Sequence, residues 1–161
     1  MFDRFGEFDS VEELNEAAAG LKEEGDEKSL YELAEENGID KEDVEDYLDG
    51  VVPELANALL AAYGKLKVEA AELKVYEIME DWLNYIKMRC AEDPAMAAAV
   101  RKKGKNLKEC IGALLKWSFK NQYEVHKDVL KAAGVNANRC TLGIPGMGRA
   151  KQIISEYYLG K

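Results

Sequence analysis

Histidine occurs once in this chain, as His126, and cysteine three times, as Cys90, Cys110 and Cys140, with no C-x-x-C spacing. One histidine excludes a histidine-rich zinc site and the H-E-x-x-H pair of a metalloprotease helix. His126 therefore reads as a surface or capping residue. An odd set of cysteines is no disulfide framework, so they read as reduced, mostly buried thiols. No G-x-S-x-G occurs, and a nucleophilic cysteine would have only His126 as its orienting base. Long apolar runs are also lacking: the longest, Ala58 to Tyr63, is far shorter than a membrane span. The stretch MFDRFGEFDS is acidic and has no continuous apolar core of the kind a secretory leader needs. These absences lead to the expectation of a cytoplasmic protein that is not an enzyme, needs no cofactor and has no membrane partner.

Positive charge is scarce at one end. Residues 1–63 hold 20 acids and only 4 bases, whereas residues 64–161 hold 18 bases and 11 acids, and the net charge is −9. Such a split points to an interaction surface or to two regions that attract one another.

Period-two alternation is absent, and nearly all of the periodic signal is helical. Ser10 with Glu13 forms a capping box before Val11, Leu14, Ala18 and Leu21. Ser29 with Glu32 repeats it before Leu30, Leu33 and Ala34, with Gly38 as a left-handed stop. Asp40 and Asp43 open a short helix carrying Val44, Tyr47 and Leu48, which Gly50 ends. Pro53 suits the first turn of a fourth helix, in which Gly64 marks a bend. Val75, Ile78, Trp82, Leu83, Ile86 and Cys90 give an amphipathic helix over 74–90. Asp93-Pro94 opens another that closes near Gly104. Leu107, Cys110, Leu114 and Phe119 form a second strong stripe. A short helix near Val129, a loop over 135–148 and a last helix over 149–158 complete the chain. Trp82, Trp117 and Tyr157 read as core. The expected fold is an all-α multi-helix bundle, with a small acidic helical subdomain over residues 1–50 and a helical core domain over 51–161.

The stretch TLGIPGMGRAKQI has the outline of a phosphate-cradling P-loop, but Arg149 and Ala150 stand where lysine and a hydroxyl residue are needed and no strand is expected before it. It reads as a loop turning into the last helix, whose N-terminus beside Arg149 and Lys151 is a weak anion site. Residues 29–50 have the spacing of a helix-turn-helix. Its second helix would present Asp40, Glu42, Asp43, Glu45, Asp46 and Asp49, which phosphate repels. The repulsion suggests the opposite use, as a carboxylate face for a cationic protein surface. The densest basic cluster, Arg101, Lys102, Lys103, Lys105 and Lys108, is a candidate phosphate contact together with Arg149 and Lys151.

From residue 73 onward, the ordered series YEIMEDWLNYI, AEDPAMAAAV, KKGKNLKECIGALLKWSFK and AKQIISEYYLG resembles the PcfK-like small proteins of conjugative and other mobile elements. That family overlaps with a group of anti-CRISPR inhibitors of the type II RNA-guided nuclease. The resemblance implies a non-enzymatic interaction protein of a mobile genetic element. Taken with the acidic face over Asp40 to Asp49, it leads to the expectation of an inhibitor that lays this nucleic-acid-mimicking face into the cationic channel of a protein partner, an RNA-guided CRISPR nuclease. The alternative is a DNA-binding accessory protein of conjugation or plasmid maintenance that uses the basic C-terminal half. Residues 1 to about 63 and the Gly-rich stretch 141–148 lie outside the resemblance.

Overall fold

A computed structural model describes residues 2–160; Met1 and Lys161, the outer ends of the two expected domains, lie outside the described residues. The fold is all-α, with nine helices and one antiparallel pair of two-residue strands among the described residues. Packing divides the chain into two compact units, one running to Lys108 and one beginning at Glu109, and the acidic helices lie within the first.

Helix α1, Val11–Glu23, is capped as its sequence suggests: the Ser10 hydroxyl accepts from the Glu13 amide at 3.2 Å, and the Glu13 carboxylate accepts from the Asp9 amide at 2.8 Å. Helix α2, Glu27–Glu36, is capped by Asp26 rather than Ser29. The Asp26 carboxylate takes both the hydroxyl and the amide of buried Ser29, at 2.6 and 3.0 Å, and the hydroxyl bond first of all holds its carboxyl below the usual carboxylate range. Helix α3, Lys41–Leu48, follows directly. Leu14 and Ala18 of α1, Leu30 and Leu33 of α2, and Val44 and Tyr47 of α3 close one hydrophobic cluster with Leu55 and Ala61.

Helix α4, Ala58–Leu73, begins five residues later than Pro53, with the Asn57 side chain accepting from the Leu60 amide at 2.8 Å. The preceding segment is held elsewhere, because the Asn15 amide group bonds both the carbonyl and the amide of Ala56, at 2.8 and 3.1 Å. The helix runs on through Gly64 without a break. This residue is glycine because the Asn37 carbonyl lies where a side chain would be, a Cβ there falling 2.1 Å from the oxygen. Helix α5, Ile78–Glu92, starts after two residues of positive φ, Lys74 and Glu77, which interrupt the stripe expected from Lys74. Helix α6, Pro94–Arg101, opens at the expected Asp93 cap, and α4 packs against both α5 and α6.

Helix α7, Leu107–Lys120, leads into the second unit, which contains β1 (Tyr123–Glu124), α8 (Lys127–Ala132), β2 (Thr141–Leu142) and α9 (Met147–Leu159). Tyr123 faces Leu142 and Glu124 faces Thr141 in the strand pair, which is too short to leave an alternating signature. His126 caps α8, its Nδ1 accepting from the Asp128 amide at 3.2 Å. Tyr158, not Tyr157, enters the interior with Ile154 and Ala150, while the Tyr157 hydroxyl donates to Glu109 at 2.9 Å and Trp117 is half-buried. No helix among the described residues is long and apolar enough to cross a membrane.

Candidate functional site

Helix α3 is pinned by Val44 and Tyr47, which leaves the rest of its circumference to carboxylates. Asp40, Glu42, Glu45, Asp46 and Asp49 are exposed and Asp43 is half-buried. Two of the six have partners: Asp40 meets Lys67 at 2.6 Å, and Glu45 meets Lys41 one turn away at 3.3 Å. Both pairs are solvent-exposed and worth about 1 kcal/mol or less. Among the described residues no lysine or arginine forms an ion pair with Glu42, Asp43, Asp46 or Asp49. Helix stability does not account for the arrangement. Glu42 and Asp43 suit the positive first turn, but Asp46 and the C-capping Asp49 oppose the dipole, and the last turn contains no base.

The basic cluster of residues 101–108 has one buried member and four that reach the surface. Arg101 is a correction: it is 2% exposed, and its guanidinium donates to Asn37 Oδ1 at 3.0 Å and lies 5.8 Å from the rings of Phe2 and Phe8. Burial drives its pKa down, and no phosphate reaches it. Lys102, Lys103 and Lys108 are exposed, and Lys105 is half-buried. Arg149 is exposed in the first turn of α9, donating to Gln152 at 2.9 Å, and Lys151 beside it is also exposed.

The interior of the first unit holds a group of ions that the sequence reading passed over. Lys65 and Glu69 stand one turn apart on the buried side of α4. The Lys65 ammonium donates to Glu7 at 2.5 Å, to the Lys102 carbonyl at 2.9 Å and to the Lys105 carbonyl at 2.5 Å, which uses its three hydrogens. Burial holds its pKa below the ordinary lysine value. Glu69 accepts from the Leu107 amide, the first of α7, at 3.0 Å, and burial raises its carboxyl to about 7. The second oxygen of Glu7 accepts from the Gly104 amide at 3.3 Å. A cavity of about 180 Å³ adjoins this group, lined by Phe2, Glu7, Glu69, Glu72, Asn106 and Lys108 among others. Its lining brings carboxylates, an amide and an ammonium together without a hydroxyl, thiol or imidazole. What the buried ions do is tie residues 102–107 to α4 and to the N-terminal segment.

No group of three or more histidine, cysteine, aspartate or glutamate side chains suited to a metal ion gathers among the described residues. Cys90 and Cys110 are buried, and burial pushes the Cys90 thiol up to about 12. Comparison of the chain with protein-family models, curated proteins and solved structures finds no match.

Proposed function

We propose that the chain is a non-enzymatic interaction protein that presents the acidic face of α3 to a cationic surface of a protein partner. The observation that carries this reading is that Glu42, Asp46 and Asp49, exposed, and Asp43, half-buried, have no ion pair among the described residues, two of them standing against the helix dipole. The soft resemblance of residues 73–161 to PcfK-like proteins of mobile elements supports a partner of one class, an RNA-guided CRISPR nuclease, whose cationic nucleic-acid channel such a face would occupy. Pull-down with that nuclease at low and high salt tests the reading. Capture that weakens with salt and disappears on reversal of Glu42, Asp43, Glu45 and Asp46 to lysine supports it, and capture indifferent to those reversals rejects the acidic-face mechanism.

One observation favours a second reading, a DNA-binding accessory role in conjugation or plasmid maintenance. From Glu109 onward the chain holds 8 bases against 4 acids, and Arg149, Lys151, Lys116 and Lys120 are exposed there. A gel shift that falls steeply with salt and is lost on neutralising these residues would favour it over the first.

A further inference from the structure

The geometry points to a receptor surface for arginine side chains on the first unit, where two depressions lined by carboxylates and apolar side chains meet at Pro53 and Glu54, and to an arginine-bearing amphipathic segment of the partner protein as its occupant. This rests on the reading above and names the chemistry the partner must bring. One depression, of about 280 Å³, has Val52, Leu55 and Leu60 for its apolar part and Asp43, Asp46 and Glu54 for its acidic part. The other, of about 390 Å³, is lined by Ala19 and Tyr47 together with Glu12, Glu16 and Glu54. Pro53 and Glu54 line both.

No lysine or arginine is among the residues that line either depression, and none among the described residues pairs with Glu12, Glu16, Asp43, Asp46 or Glu54. Lys22 is held at the Tyr47 wall, where its ammonium donates to the Tyr47 carbonyl at 2.5 Å and lies 4.2 Å from the ring centroid. Asn15, which also lines the second depression, anchors Ala56, two residues after Glu54, through two hydrogen bonds. The surface therefore combines apolar and acidic lining with no internal cation paired to its carboxylates among the described residues.

That combination selects among occupants. Nucleic acid is repelled by the carboxylates. A purely apolar side chain would cover the apolar lining but strip water from carboxylates left without partners. Arginine satisfies both parts: its methylene stem lies on apolar surface, and its planar fork reaches carboxylates on two sides. Alternating apolar and arginine positions on the partner segment would fill both depressions.

Labelled peptides of alternating arginine and leucine, titrated against the full chain by fluorescence anisotropy, test this. Expected is binding that weakens about tenfold when Asp43, Asp46 and Glu54 are neutralised together, and much less when Glu42, Glu45 and Asp49, which line neither depression, are neutralised. Replacing the peptide's leucines by serine, with charge unchanged and the protein untouched, is expected to cost a similar factor. Equal losses for the two acid sets, indifference to the serine peptide, or spermine competing as well as the arginine peptide would each overturn the receptor. Self-association that competes with the peptide would overturn it in favour of a second copy. Nuclease capture that still needs Glu42, Glu45 and Asp49 would leave the acidic-face reading standing after any of these failures. Capture insensitive to every acid would remove that reading as well.

Discussion

The carbonyl oxygen of Asn37 lies 2.1 Å from where a Cβ on Gly64 would be, so the turn between α2 and α3 rests directly on the backbone of α4. Gly38 makes the same contact from the other side, with a left-handed φ of +68° and a Cβ position 2.2 Å from the Gly64 carbonyl oxygen. Neither obstacle is the flexible end of a side chain. Gly64→Ala is expected to cost about 2–3 kcal/mol, because α4 and the turn must separate, and Gly38→Ala adds backbone strain to the same clash. Urea unfolding measures both, and a Gly64→Ala protein as stable as the parent would contradict the contact.

Lys65 is the hub of the interior ions. Lys65→Met removes the buried ammonium that Glu7 and two carbonyls surround, leaving the half-buried Glu7 carboxylate and both carbonyls with less compensation. A loss of about 3–5 kcal/mol is expected. Reading the unfolding by near-ultraviolet and far-ultraviolet dichroism shows whether the whole first unit depends on the hub. An unchanged midpoint would mean that these bonds do not hold residues 102–107 in place.

Glu69 makes stability depend on pH in a stated direction. Its carboxyl is raised from 4.5 to about 7 by burial, so the folded state binds the proton more tightly than the unfolded one. Its contribution is fully present below pH 4.5 and is lost as pH rises through about 7. Between those values the first unit should therefore lose stability on going up in pH. Lys65, lowered by burial, acts in the opposite sense and only as pH approaches its own titration. Glu69→Gln keeps an acceptor for the Leu107 amide and should flatten the pH dependence around neutrality. Parallel unfolding curves for parent and variant across that window would count against a carboxyl held near 7.

Much of the fold was legible because helix patterning and caps carry it. Ser10, Asp93-Pro94 and the terminal helix lie where the spacing places them. Gly64 was read as a bend because a glycine's reason for being there was the Asn37 carbonyl, a residue 27 positions away. Asp26 was passed over as a cap because Ser29 has the same local signature, and only the structure shows the serine hydroxyl turned back toward the aspartate. The acidic face was readable directly, since Val44 and Tyr47 determine which side of α3 is left for the carboxylates. Arg101 was misread for the opposite reason: a run of bases suggests a shared surface, yet Ala97, one turn before it, is buried and places Arg101 on the core side of α6. Lys65 and Glu69 did leave a signal, falling at positions 3, 4, 7, 8 and 11 of one stripe with Ala61, Ala62 and Leu66 from Ala58. A charged pair on an apolar stripe is the mark of a buried ion. The depressions beside Pro53 had no such mark, because Glu12, Glu16, Asp43 and Glu54 meet only through the tertiary packing.

The most direct measurement is the affinity of the full chain for the RNA-guided nuclease as salt is raised, compared with a variant in which Glu42, Asp43, Asp46 and Asp49 are neutralised to their amides and the fold is checked by circular dichroism. Expected is tight, salt-sensitive binding by the parent, and binding by the folded variant that is about tenfold weaker or more and much less sensitive to salt. Equal affinity and equal salt dependence for the two proteins would contradict the claim that these carboxylates stand open for a cationic partner.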